Sequence, residues 1–162
     1  MTHLTLQITV RAPAERCFNL ARSMDFHVWS MRATGERIVG GRATDLIGPG
    51  DEVEFEARHL GLTRRLRAKV TAFAPPTMFA DEQVRGPFRS LVHTHSFEAQ
   101  ADGTVRITDL LAFHLGFGIA GLAVERLMIR PHLGRLLRGH QRNLKATAES
   151  DHWRNFITDG PV

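Results

Sequence analysis

The chain has no tyrosine, one cysteine and no long apolar run, and each absence removes a class of protein. A single cysteine, Cys17, cannot form an internal disulfide, so a reducing cytoplasm is the natural compartment. Cys17 lies in Arg16-Cys17-Phe18 within an expected helix, where a free thiol packs as a small hydrophobe. No segment approaches the roughly 18 apolar residues that span a bilayer, so no transmembrane segment is expected. The first residues, Met1 to Val10, alternate apolar and polar and read as a strand rather than a secretory signal. Without tyrosine, and with no aromatics interleaved among its arginines, the chain offers little for base stacking, and no nucleic-acid partner is expected. Linkers, internal repeats and low-complexity segments are also missing.

What is present suits one domain. The 162 residues include 43% hydrophobic residues and 10 Phe, enough to fill a sizeable core. The domain is expected over 1–148, with a tail over 149–162 that has no clear period and that Trp153 and Phe156 are placed to dock. A formal charge of +4 permits an acidic partner or membrane surface without requiring one.

The elements follow from periodicity. Leu4, Leu6, Ile8 and Val10 alternate as a first strand. Pro13 suits the first turn of a helix through Ala21, with Phe18 as its buried anchor, and Ser23 suits the cap of a second short helix through Trp29. Strand-like text resumes at Arg32 and runs to Val39, broken by Gly40-Gly41 and Ile47-Gly-Pro-Gly50. Val53, Phe55, Ala57 and His59 alternate with Glu52, Glu54, Glu56 and Arg58. Past Gly61, Arg65, Arg67 and Lys69 occupy the matching row of the next strand, so cross-strand charge pairing is expected. Two further strands meet at Arg85-Gly86-Pro87, and a seventh runs from Thr104 to His114.

A long helix is expected from about Ile119 to Ala148 with two apolar sectors. Ala120, Val124, Leu127, Met128 and Pro131 share one side; Ile129, Leu133, Leu136, Leu137 and Leu144 share roughly the opposite side. Pro131 falls at the change, which predicts a bend. Arg126, Arg130, Arg135, Arg138 and Arg142 read as a solvated face. Gly116-Phe-Gly-Ile-Ala-Gly121 matches a dinucleotide-binding pattern, but no strand follows the helix and no acidic residue lies about 20 positions on, so that reading fails.

One stretch is neither ordinary core nor ordinary surface. Phe79, Asp81 and Gln83 share a strand face, and Leu91, His93, His95 and Phe97 share the next. His93-x-His95 has metal-ligand spacing, with His59 and Asp109 as further donors if they converge. The same residues also suit a satisfied His–Asp hydrogen-bond pair, a pocket wall, or an acid–base unit in which Asp81 or Asp109 orients His93 or His95.

The order β-α-α-β-β-β-β-β-β-α implies an α+β fold: a seven-stranded antiparallel sheet around a long C-terminal helix, with two short helices after strand 1. Several stretches resemble the START-like superfamily (SRPBCC, or polyketide cyclase/dehydrase-like) and its helix-grip fold. They are Ala12-Pro-Ala-Glu-Arg-Cys-Phe18, Gly48-Pro-Gly-Asp-Glu-Val53, Pro75-Pro-Thr-Met-Phe-Ala-Asp81, Arg85-Gly-Pro-Phe88, His93-Thr-His-Ser-Phe97 and Asp102-Gly-Thr104 leading to Thr108-Asp109. The resemblance covers about residues 3–147. It implies an internal cavity for apolar or amphipathic molecules between sheet and helix, and it carries over no catalytic set, metal or nucleotide cofactor.

On that basis the expected ligand-binding residues are Trp29, Phe55, His59, Phe79, Phe88, His93, His95, Phe97, Phe113, Val124, Leu127 and Met128, with Met31 beside them. The expected ligand is a lipid, quinone or aromatic polyketide. The alternative is a cyclase or dehydratase using His93, His95, Asp109 and Asp81 in the same cavity. A third reading is a protein-interaction module that uses the basic helix face.

Overall fold

A computed structural model of the chain describes residues 1–158. Alternation builds the sheet. In β1 (Thr2–Val10), Leu4 and Val10 are buried while His3, Thr5, Gln7 and Thr9 face solvent. In β7 (Val105–His114), the buried row is Val105, Ile107, Asp109, Leu111 and Phe113, so one carboxylate sits amid four apolar side chains. Between them run β2 (Arg37–Gly41), β3 (Glu52–His59), β4 (Leu62–Ala74), β5 (Met78–Arg85) and β6 (Ser90–Ala99). All pair antiparallel in the order β1-β7-β6-β5-β4-β3-β2. The charged rows meet as the sequence predicts: Glu56 lies across from Arg65 and pairs with it at 2.7 Å, and Arg67 reaches Glu52 at 2.8 Å.

Helices α1 (Ala14–Ala21) and α2 (Met24–Ser30) carry the chain from one sheet edge to the other. Phe18 of α1 is fully buried and meets Phe73, Phe79 and Phe97 edge-on, with centroids 5.4, 5.7 and 5.5 Å away. Cys17 beside it is also buried, and burial pushes its thiol up to about 12. Ser23 Oγ accepts from the Phe26 amide at 3.2 Å and caps α2. The strand expected from Arg32 starts later. Residues Arg32–Thr34 form a 3₁₀ turn, because both the amide and the hydroxyl of Thr34 donate to the Met31 carbonyl, and β2 begins at Arg37.

The C-terminal helix comprises α3 (Gly118–Val124), a π turn over Glu125–Ile129, and α4 (Arg130–Ala148). The change of buried face coincides with the wider π turn, and Pro131, which has no N–H to donate, follows it directly in the continuous helix. Glu125 pins the π turn. Its fully buried carboxylate accepts from Thr2 Oγ1 at 2.5 Å, Leu115 N at 2.6 Å and His114 Nδ1 at 2.9 Å. Burial opposes its charge, but these donors hold its pKa below the usual value.

The two apolar sectors meet different fates. Leu127 is 79% exposed and Met128 53%, whereas Ile129, Leu133 and Leu137 pack onto Leu4, Leu91, Leu111 and Phe113. After α4, a 3₁₀ turn over Asp151–Asn155 buries Trp153 beneath the Arg16 guanidinium, 4.4 Å from the ring centroid. Phe156 packs on Phe26 and Trp29. The expected tail extends to Val162, and its residues 159–162 lie outside the described ones.

Candidate functional site

The concave sheet face and α4 enclose a cavity of about 460 Å³. Its wall is mostly apolar: Val53, Phe55 and Ala57 of β3, Leu66, Ala68 and Val70 of β4, Phe79 of β5, Leu91 of β6, and Leu133, Leu136 and Leu137 of α4. Six of the nine histidines also border it: His27, His59, His93, His95, His132 and His140.

Strand register assembles the polar corner. Asp81 of β5 lies directly across from His93 of β6, and His95, two residues on, lies across from Asp109 of β7. Period-two alternation therefore points all four side chains to one face. Asp109 Oδ1 stands 2.7 Å from His95 Nδ1 and 3.1 Å from His93 Nε2. Its other oxygen accepts from Gln141 Nε2 at 2.6 Å. His95 Nε2 is 3.6 Å from Asp81 Oδ2, too long for a hydrogen bond. The His95 ring stacks on Phe79 at 4.3 Å and lies 3.9 Å from the His93 ring.

Electrostatics follow from this geometry. Burial disfavours a charged His95, yet the close Asp109 carboxylate and the nearby Asp81 carboxylate outweigh it and push the ring up to about 9. Burial likewise opposes charge on Asp109, but His93 and His95 hold it well below the usual carboxylate range. Asp81 is lowered as well, with burial overcome chiefly by His95.

The histidines of α4 have other partners. His140 Nδ1 shares a hydrogen bond with Ser30 Oγ at 2.9 Å, and burial depresses its pKa to about 3, with the charge of nearby His27 acting the same way. His132 Nε2 meets His59 Nδ1 at 3.2 Å, joining α4 to the end of β3, and burial lowers both rings. His27 Nε2 lies 2.6 Å from Glu36 Oε1, a close contact outside hydrogen-bond geometry.

Of the expected ligand-binding residues, Phe55, His59, Phe79, Phe88, His93, His95 and Val124 border the cavity, as does Met31. Five do not. Trp29 packs against Phe26 and Phe156, Phe97 against Phe18, and Phe113 against Phe88 within a closed core. Leu127 and Met128 are turned to solvent by the π turn. Among the expected catalytic residues, Asp81, His93 and His95 border the cavity, while Asp109 stands behind the two rings. His59 does not converge with them. It pairs with His132. Gln83, on the expected mixed face, bonds the Phe88 backbone instead.

Residues missed by sequence reasoning are His27, Glu36, His132, His140 and Gln141. For three of these there was a signal: 132, 133, 136, 137 and 140 trace one helical stripe, with Gln141 adjoining it.

A seven-stranded antiparallel sheet gripping a C-terminal helix around a cavity defines the helix-grip class. The chain belongs to the polyketide cyclase / dehydrase and lipid transport family, whose model matches residues 1–149. Similar solved structures include the protein TTHA0849 from Thermus thermophilus, at 17% identity and TM-score 0.70, covering 91% of this chain and 99% of that one. Ginseng major latex-like protein 151 from Panax ginseng is similar at 13% identity and TM-score 0.69, over 92% of this chain and 98% of its own. A START superfamily protein from Mycobacterium smegmatis matches at 13% identity and TM-score 0.69, over 91% of this chain and 97% of its own. At these identities the likeness concerns the fold. No curated protein sequence matches the chain. Among the described residues, no helix is long and apolar enough to cross a membrane.

Proposed function

We propose that the cavity holds a small hydrophobic or amphipathic molecule of the lipid, quinone or aromatic polyketide type. The supporting observation is a cavity of about 460 Å³ whose wall is apolar except for converging polar side chains. Such a site gains affinity from buried apolar surface and orientation from the few polar groups. The molecule's apolar body would lie against Phe55, Phe79, Leu133 and Leu137, and an oxygen would meet His95 or His93. The family's description, which couples cyclase/dehydrase activity with lipid transport, is consistent with either a carrier or an enzyme. Native mass spectrometry of the purified protein, followed by thermal unfolding with fatty acids, quinones and anthraquinones, tests the reading. A co-purified apolar molecule, or a melting temperature raised by one class, supports it. An empty protein that none of these stabilises refutes it.

The His95–Asp109 contact of 2.7 Å favours an enzymatic second reading. With His95 pushed up to about 9, the ring is protonated at neutral pH and is a general acid toward a ligand carbonyl, while Asp81 is the neighbouring carboxylate base. Loss of α-deuterium from a labelled 1,3-dicarbonyl, followed by NMR, checks it. Equal exchange by wild type and Asp81→Asn would count against it.

A further inference from the structure

We propose that Asp81, His93 and His95 form a binding site for one divalent transition-metal ion, of the zinc, cobalt or iron(II) kind, at the polar corner of the cavity. Three observations carry this. One ligand atom from each of the three side chains lies within 4.8 Å of the other two. Sheet geometry sets that convergence: His93 and His95 are i and i+2 on β6, and Asp81 is the cross-strand partner of His93.

The second observation is a distance. His95 Nε2 and Asp81 Oδ2 are 3.6 Å apart. Two donors bound at 2.0–2.2 Å to one tetrahedral ion stand about 3.4 Å apart. The gap is wrong for a direct hydrogen bond and close to that of two ligands sharing an ion.

The third is the support behind the rings. A carboxylate oxygen only accepts, so Asp109 Oδ1 draws the proton of His95 to Nδ1 and that of His93 to Nε2. In those tautomers the second nitrogen of each ring carries the lone pair a metal needs. Gln141, donating to Asp109 Oδ2, fixes the carboxylate in turn. A carboxylate behind metal-bound imidazoles is a recurrent way of orienting such ligands.

The donor set selects the ion. Two imidazoles and one carboxylate suit borderline transition metals, whereas calcium and magnesium prefer oxygen alone. The ion would take the place that a proton on His95 Nε2 otherwise fills. Asp81, His93 and His95 all border the cavity, so the remaining coordination positions would open toward it and could take a ligand oxygen.

The test uses the full chain, stripped with a chelator and titrated with cobalt(II) alone, without any organic ligand. The expected result is a visible d–d absorption that saturates at one equivalent and is abolished by stoichiometric zinc. Asp81→Ala and His93→Ala, each checked for a cooperative melt, should lose the band. If Asp81→Ala does not melt cooperatively, Asp81→Asn replaces it, keeping the shape and removing the anion. Asp109→Asn should keep the band and weaken binding about 10–100-fold, as loss of a supporting carboxylate does. No saturable band in folded wild type overturns the proposal. So does a band that survives Asp81 substitution but disappears in His59→Leu, which would place the ion on the His59–His132 pair. Because no organic ligand is present, either failure leaves the cavity-binding reading untouched.

Discussion

Strand β6 and helix α4 each bring two histidines to one cavity, and they equip them oppositely. The β6 rings back onto a carboxylate: Asp109 contacts both, and Asp81 stands near His95. The α4 rings meet uncharged partners, Ser30 for His140 and the imidazole of His59 for His132. Burial disfavours charge on His95, His132 and His140 alike. His95 is nevertheless pushed up to about 9, while His140 falls to about 3. The comparison shows that the partner, more than the depth, decides which buried imidazole is ionic. One wall of the cavity is thus charged and the opposite one is neutral though polar.

The largest break in this contrast should come from Asp109→Ala. It leaves His95 and His93 buried without their carboxylate, and chemical denaturation should show a loss of about 3–5 kcal/mol. A smaller loss would mean that His95 simply turns neutral.

The acid side is next. His140 has a depressed folded pKa, so its contribution is complete above the ordinary value of 6.5 and is lost as pH falls toward about 3. His140→Gln should flatten the acid limb of a stability–pH curve by roughly 2–4 kcal/mol relative to wild type.

His95 acts on the other limb. Its folded pKa is raised, so its contribution is complete below 6.5 and is lost as pH rises through about 9. His95→Gln should remove an alkaline decline on the order of 2 kcal/mol, read from urea midpoints between neutral and alkaline pH. Identical limbs in wild type and variant would erase the distinction between the two walls.

The smallest effect belongs to the His59–His132 pair. His59→Leu removes a half-buried hydrogen bond to His132 and should cost about 0.5–1 kcal/mol in thermal unfolding.

The sheet was legible because alternation is local. The β1 and β7 rows, the Glu52–Glu56 and Arg65–Lys69 rows, and the mixed faces around Asp81 and His93 each follow from period two. So did half of the site, since its carboxylates and β6 histidines lie on adjacent strands. The other half was not, for two reasons. The π turn shifts the helical phase, so the sector holding Leu127 and Met128 faces solvent while the His132–His140 stripe faces the sheet. That turn is pinned by Glu125 through Thr2, 123 residues away, a contact no local period contains. Aromatic residues were also a poor guide to the wall: Phe97 and Phe113 satisfy the same alternation as Phe79 but are sealed in clusters with Phe18 and Phe88. Periodicity says which face is inward, not whether that inward space is full.

Gly121 carries one more consequence. A Cβ on it would collide with the carbonyl oxygen of Gly116, so the start of the long helix sits directly on the loop that leaves β7. Val124, three residues on, borders the cavity. A methyl at Gly121 would have to lift that first turn and move Val124 at the cavity border, whereas Asp81, His93 and His95 are held in place by the register of β5 and β6.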